Sequence, residues 1–181
     1  MRAWQQYSSR GAVSVAFVLT VVCAPANANA QERTQSSFLS DIAKQVVFDP
    51  TTYAPAIIAY DGTMRDWNTS QPFFRNGFVE ANQRYTVSGL PYDTPLSYSD
   101  GHRRILLDAL TTLEVSVVNN AAARVFERVL MERYPNHRKA VRTLGWIERV
   151  SVGVAMSYVL SAEHYRQAQI NTQRAAALGY R

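Results

Sequence analysis

Cysteine is almost absent from this sequence. The only cysteine, Cys23, lies within the first 30 of 181 residues, in a segment that we expect to be removed. Residues 31–181 can therefore form neither a disulfide framework nor a cysteine-ligated metal site. This absence excludes the small disulfide-stapled secreted domains and the zinc-ribbon type of module.

Residues that carry the common catalytic and metal-binding motifs are also few. The three histidines are His102, His137 and His164, and no two of them stand three or four residues apart. No Glu-x-x-His, G-x-S-x-G, S-x-x-K or glycine-rich phosphate loop occurs. Di-iron bundles, the common hydrolase nucleophiles and P-loop enzymes are therefore disfavoured. We expect no metal and no cofactor, and a non-enzymatic protein is favoured over an enzyme.

The first 30 residues have the three parts of a secretory signal peptide. Arg2 and Arg10 make a basic start, Ala12–Ala24 is an uncharged apolar run, and Ala28-Asn29-Ala30 provides an Ala-x-Ala cleavage site. We predict cleavage between Ala30 and Gln31. An uncleaved membrane anchor is the alternative, but the run is short for a span, which needs about 20 apolar residues.

Residues 31–181 have the pattern of a single helical domain. Apolar residues recur every three or four positions, and the alternation typical of strands is nowhere sustained. The spacing predicts two short N-terminal helices, over Phe38–Phe48 and from Asp49-Pro50 onward. It predicts two long helices over about Asp100–Tyr134 and His137–Leu178.

The segments between the predicted helices define the fold class further. Because only the short hinge Tyr134–His137 separates the long helices, they should pair antiparallel. Residues Ser70–Gly101 are rich in proline, glycine and aromatic side chains, and the aromatics argue against disorder. We therefore expect an all-α helical bundle, with two long antiparallel helices, two shorter N-terminal helices and a long aromatic-rich loop.

Each long helix has an apolar stripe that we expect to face the core. The stripes contain Leu106, Leu110, Leu113, Val117, Ala121 and Val125 in one helix, and Ala140, Leu144, Ile147, Val154, Tyr158, Ala162 and Tyr165 in the other. A polar track runs beside the first stripe, one residue per turn: Asp108, Thr112, Ser116 and Asn120. We interpret this track as the solvated face of an amphipathic helix. A buried hydrogen-bonded seam or a ligand groove is the alternative.

Charge and hydropathy bear on the partners of the chain. The formal net charge is +5, and arginine supplies nearly all the positive charge. An exported protein rarely meets nucleic acid, so we expect a protein or envelope partner, or an acidic membrane surface. The long helices are borderline in hydropathy, since Asp108 and Glu114 interrupt one and Glu148 and Arg149 the other. A soluble bundle is the expectation, and a small membrane protein is the alternative.

Two stretches, Asp49–Gly89 and Arg142–Gln173, resemble a family of uncharacterised exported bacterial proteins. More loosely, Asp61-Gly-Thr63 followed by Gly77-Phe-Val-Glu80-Ala-Asn82 is similar to a D-x-T…G-x-x-E-x-N pattern in small bacterial membrane proteins of unknown function. Those proteins usually have proline after the asparagine, where this chain has Gln83. The resemblance implies export or a membrane location and carries no catalytic residue.

Asp61, Glu80 and Asn82 form a candidate polar cluster near the predicted loop. Short acidic and amide side chains accept hydrogen bonds from backbone N–H groups and cap neighbouring turns. We therefore expect some of these groups to anchor the loop to the helices. A binding or catalytic site is the alternative.

These observations favour a non-enzymatic interaction or structural protein, exported to the periplasm or the envelope. The alternatives are a small helical protein embedded in or peripheral to the inner membrane, and an enzyme acting on envelope polymers.

Cleavage of the signal peptide is testable directly. N-terminal sequencing of the exported protein should begin at Gln31. Ala28→Arg should leave the precursor uncleaved, because the site requires a small residue there. Asn29→Leu is the matched control and should be processed normally. A mature protein that still begins at Met1 would contradict the prediction.

Overall fold

The computed structural model describes the backbone of residues 28–180 and the side chains of residues 37–180. Within that range it contains four α-helices, two isolated β-bridges and no β-strand, which confirms the all-α prediction. The helices are α1 (Ala28–Val47), α2 (Ala54–Arg75), α3 (Tyr98–Arg133) and α4 (Arg138–Leu178).

The predicted signal peptide lies almost entirely outside the described residues. Its proposed cleavage site, Ala30–Gln31, falls at the start of α1, which begins before the helix predicted from Phe38. The chain divides between Lys44 and Gln45 into two compact units, and α2, α3 and α4 lie entirely in the second unit.

Helix boundaries near the prolines differ from the sequence prediction. Asp49 caps a 3-10 turn, Pro50–Thr52, and α2 starts only after that turn. At its other end α2 continues through Pro72, because a proline in the last turn costs only one hydrogen bond of the helical ladder. The predicted loop Ser70–Gly101 is therefore too long, and the observed connection covers residues 76–97.

Helix α2 lies against both long helices, and two glycines allow the close approach. Asn120 contacts Thr52 and Gly101 contacts Trp67, so α2 and α3 run in opposite directions. A Cβ at Gly101 would lie 2.1 Å from the Trp67 ring, and one at Gly62 would lie 3.1 Å from Cβ of Ser161 in α4. No larger residue fits at position 101 without separating the helices.

The large apolar side chains of α3 and α4 lie mostly on the outside, which contradicts the predicted core stripes. Leu144 and Tyr158, for example, are 65% and 72% exposed. We call this exposed set the apolar belt: Leu106, Leu107, Leu110, Val115, Val117, Val118, Phe126, Val129, Leu130, Leu144, Trp146, Ile147, Val154, Tyr158, Val159 and Leu160. Among the described residues, no helix has the length and apolar character needed to cross a membrane.

The polar track of α3 faces inward at two of its four positions. Ser116 and Asn120 are each only 2% exposed, so the solvated-face interpretation is wrong for them. The Asn120 amide donates to the hydroxyls of Thr51 and Thr52 at 2.9 and 2.7 Å, and the Ser116 hydroxyl donates to the Thr51 carbonyl at 3.2 Å. The polar groups of the 3-10 turn need buried partners, and this requirement turns the polar face of α3 toward them.

A buried ion cluster joins the same turn to both long helices. The Arg149 guanidinium donates to the carboxylates of Asp49 at 3.1 Å and Glu127 at 2.8 Å, and Arg124 donates to Asp49 at 2.7 Å. Burial alone would raise the pKa of Asp49, but hydrogen bonds from Thr51 and Arg124 outweigh it and hold that pKa below its ordinary value. Asp49 is therefore held in its charged form.

The ion cluster makes a measurable contribution to stability. Arg149→Leu removes the cation shared by two buried carboxylates, and we expect a loss of about 3–5 kcal/mol in urea unfolding. Arg166→Ala breaks only the exposed pair with Glu163 and should cost less than about 1 kcal/mol. Equal effects of the two substitutions would contradict a structural role for the cluster.

The pH dependence follows from the sign of the Asp49 shift. Because folding lowers the pKa of Asp49, its contribution to stability is present above the ordinary value of 3.8 and is lost as the pH falls through the lower value of the folded state. Asp49→Asn should therefore weaken the protein at pH 7, and the difference from wild type should shrink in acid. Thermal melts at several pH values measure this difference, and a constant difference would contradict the mechanism.

Candidate functional site

A cavity of about 720 Å³ lies between the C-terminal parts of α2 and α4 and is bordered by the loop after α2. We call it the polar cavity. Its polar lining comprises Thr63, Asp66, Ser70, Glu80, Asn82, Glu163, His164, Gln167, Asn171 and Arg174. Its aromatic lining comprises Trp67, Phe73, Phe74, Phe78 and Tyr85.

One wall of the polar cavity is a hydrogen-bonded network between α2 and α4. Asp66 contacts His164 Nδ1 at 2.8 Å and accepts from the Asn171 amide at 3.2 Å. The same amide donates to the Ser70 hydroxyl at 2.9 Å, and Gln167 donates to the Asn171 side-chain oxygen at 2.8 Å. This network fixes the orientation of the His164 ring, as a carboxylate does in acid–base sites.

Sequence reasoning did not single out these residues as a set. His164, Gln167 and Asn171 are spaced by three and four residues and so share one face of α4, as Asp66 and Ser70 do on α2. That spacing is a local signal. The pairing of two faces about 100 residues apart is not visible in the sequence.

Glu80 and Asn82, from the predicted polar cluster, both line the polar cavity. The Glu80 carboxylate accepts from the Asn82 backbone N–H at 2.7 Å, and the Asn82 side chain accepts from the Arg84 N–H at 3.1 Å. The second bond caps the 3-10 turn Gln83–Tyr85. Burial raises the pKa of Glu80, and the nearby charge of Asp66 raises it further.

Asp61 lies elsewhere. Its carboxylate accepts from Arg65 at 2.7 Å and from the Tyr165 hydroxyl at 2.8 Å, and its side chain is nearly half exposed. The hydrogen bond from Arg65 is the main cause of its lowered pKa. Asp61 does not line the polar cavity, so the structure separates it from Glu80 and Asn82.

The loop is tied to α3 through Asp108, the first residue of the polar track. The Asp108 carboxylate pairs with Arg84 and accepts from the Tyr85 hydroxyl at 3.3 Å. Burial and the charge of Asp108 raise the pKa of Tyr85, so the phenol keeps its proton and remains a donor. Thr112, next on the track, donates its hydroxyl to the Asp108 carbonyl. Asp108 therefore anchors the loop to α3, which is the role that we expected for some of the groups of Asp61, Glu80 and Asn82.

Aromatic rings form the other wall of the polar cavity. Trp67 is buried and its ring lies 5.5 Å from that of Phe74 and 5.7 Å from that of Tyr85. Phe73 and Phe78 meet edge to face at 5.6 Å, and Phe78 is about half exposed. Trp67 and Tyr85 therefore belong to the core, whereas the Phe78 ring lines the cavity and also contacts Tyr180, with about half of its surface exposed.

Within the part of the chain that the structure describes, no group of three or more histidine, cysteine, aspartate or glutamate side chains is arranged to hold a metal ion. Asp66 and His164 form a pair, and the Asp66 oxygens are already engaged by His164 and Asn171.

No family model, curated protein or solved structure matches this chain.

Two substitutions at Glu80 distinguish the contribution of its hydrogen bond to stability from the contribution of its charge. Glu80→Ala removes the acceptor for Asn82 and should lower stability by about 0.5–1.5 kcal/mol, with faster proteolysis within residues 76–97. Glu80→Gln keeps an acceptor and removes the charge of this partly buried side chain. Because folding raises the pKa of Glu80, its charge is unfavourable above that value, and Glu80→Gln should raise Tm at pH 7.

The gain from Glu80→Gln should disappear as the pH falls toward the ordinary glutamate value of 4.5, where the wild-type side chain also becomes neutral. Thermal melts of both variants between pH 4 and pH 8 provide the measurement. A variant Glu80→Ala with unchanged stability and protease resistance would show that Glu80 does not anchor the loop.

Proposed function

We propose that this chain is an exported, non-enzymatic interaction protein of the bacterial envelope, and that it associates with an anionic membrane through the apolar belt. One observation carries the proposal: large apolar side chains cover the outside of α3 and α4, while small and polar residues fill the inside. The basic-apolar-small N-terminal segment supports export.

The apolar belt is unfavourable in water. Burying one large aliphatic or aromatic side chain is worth about 1.5–3 kcal/mol, and the belt contains many of them. Monomeric soluble proteins rarely expose apolar patches larger than a few hundred Å². The belt therefore indicates a surface that is covered in the functional state.

The interior of the bundle is also of the kind found between helices in lipid. Gly153, Ser157 and Ser161 repeat every four residues along the buried face of α4. Small residues at such spacing let helices approach closely where no hydrophobic difference between core and surroundings drives packing. Ser157 and Ser161 donate to the carbonyls four residues earlier, which satisfies their hydroxyls within the helix.

The distribution of positive charge favours a lipid surface as the partner that covers the apolar belt. Most of the belt lies between Val115 and Leu160, in and around the half of the long helices nearest their connection, and the exposed cations Arg133, Arg138, Lys139 and Arg142 lie at that connection. Each cation near an anionic membrane contributes about 1 kcal/mol. From Glu163 onward, the exposed face of α4 is mainly polar or alanine, and the polar cavity lies in that half.

The proposal includes the arrangement of the long helices expected from the sequence. An antiparallel hairpin of α3 and α4 is supported by their short connection, Tyr134–His137, and by the Arg149–Glu127 contact close to it. The aromatic-rich loop would then border the end of the hairpin that is distant from the connection.

A second candidate function is an enzyme that acts on envelope polymers. The specific observation in its favour is the His164–Asp66 pair beside Glu80, whose pKa is raised by burial. A histidine oriented by a carboxylate and a second carboxyl group with a raised pKa are the components of general acid–base catalysis. The non-enzymatic interaction protein remains the main proposal, because it requires neither a substrate nor a catalytic arrangement of these groups.

Vesicle flotation tests the membrane association. The chain beginning at Gln31 should float with vesicles containing phosphatidylglycerol and should bind less well to neutral vesicles. Leu144→Gln combined with Ile147→Gln removes two exposed belt residues and should weaken binding at least tenfold, since each loses apolar burial in lipid.

The matched control is Val87→Gln combined with Leu90→Gln, which removes two apolar side chains of similar or greater exposure outside the apolar belt. This control should float as the wild type does. Wild-type protein that stays with the aqueous fraction at low salt, or equal loss in both double variants, would contradict the proposal and favour a protein partner in the periplasm.

A further inference from the structure

We propose that the polar cavity is a binding site for a short saccharide. The inference rests on the residues that line the cavity and does not depend on the membrane association proposed above.

The hydrogen-bonding groups of the cavity wall suit hydroxyl groups. Carboxylates accept, ring and guanidinium nitrogens donate, and amides do both, whereas a sugar hydroxyl is at once donor and acceptor. Asp66, Gln167 and Asn171 lie side by side, and their mutual hydrogen bonds hold them in one orientation. Asn171 serves as the buried support, while the remaining lone pairs of the Asp66 carboxylate and the other amide groups of Gln167 can bind a ligand. A ligand that binds to them meets a preorganised wall and loses little affinity to side-chain ordering.

The aromatic side of the cavity suits the apolar face of a sugar ring. Phe78 is about half exposed, and its contact with Phe73 is edge to face at 82°. That contact holds the Phe78 ring in place. A cavity with apolar and aromatic walls and a few fixed polar groups is the usual form of a small-molecule site, and about 720 Å³ lies in the usual size range.

The charges of the cavity favour an uncharged ligand over a cation. Asp66 contacts His164, and Glu163 is paired with Arg166. Arg174 also lines the cavity and brings a positive charge. Three acids line the cavity, Asp66, Glu80 and Glu163, and they face Arg166, Arg174 and a His164 ring that is charged only when protonated. At most one negative charge is left uncompensated, so recognition falls mainly to hydrogen bonds and ring contacts.

Calorimetric titration of the full-length chain tests the proposal. The protein is purified in a detergent without a sugar headgroup and titrated separately with chitotriose, maltotriose and benzylamine. At least one trisaccharide should bind saturably below about 10 mM, the weak end of specific binding. Phe78→Ala should weaken that binding about tenfold, because it removes the exposed ring.

Two further variants test whether the loss of saccharide binding arises in the polar cavity and whether the ligand is uncharged. Phe126→Ala removes an equally exposed ring in the apolar belt and should leave saccharide affinity unchanged. Glu80→Gln replaces a negative charge of the wall by a neutral amide of similar shape, so it should weaken any benzylamine binding far more than it weakens saccharide binding.

The proposal is overturned if neither trisaccharide binds, if Phe126→Ala weakens binding as much as Phe78→Ala does, or if only benzylamine binds and Glu80→Gln abolishes that binding. The last result would identify the cavity as an ammonium site. Circular dichroism of each variant, matching that of the wild type, confirms that the comparison concerns folded protein.

Discussion

The arrangement of this protein depends on the pairing of Arg149 with Asp49 and Glu127. The three side chains come from α4, the turn before α2, and α3, so one guanidinium joins all three segments. A buried charge without a partner is strongly destabilising, and each segment is therefore held where its charge is compensated. A Cβ at Gly145 would lie 2.8 Å from a Glu127 carboxylate oxygen, so glycine there leaves room for the pair.

The polar interior of the bundle determines which side chains of the long helices lie on the outside. Once Asp49, Thr52, Ser116, Asn120 and Arg149 occupy the centre, the leucines and valines of the long helices have no core to enter. Most of them lie outside, and the buried cluster of large apolar side chains next to the polar cavity is small in the described part of the chain: Trp67, Tyr85 and Ile105. The two candidate surfaces of the molecule, the apolar belt and the polar cavity, thus follow from one distribution of polar residues.

The positions of the helices could be predicted from the sequence more accurately than the face that each helix buries. Apolar periodicity and Pro135 located the long helices to within a few residues, because both are local signals. Periodicity shows that a helix has two faces and not which face is buried. In α3 that choice is made by the contacts of Ser116 and Asn120 with polar groups of a turn more than 60 residues earlier in the chain. Turn chemistry likewise pointed to Glu80 and Asn82, whereas the pairing of Asp66 with His164, which are 98 residues apart, has no local signature.

The contact between Trp67 and Gly101 fixes the register of α2 against α3. The indole occupies the space that a Cβ at position 101 would fill, and one helical turn along α3 the corresponding position is Ile105, which is fully buried. Sliding α2 by a turn, about 5.4 Å, would drive the indole into that side chain. Movement between these helices is thereby limited to rotation or tilting about a fixed point, and the walls of the polar cavity keep their axial alignment when the rest of the bundle adjusts to its surroundings.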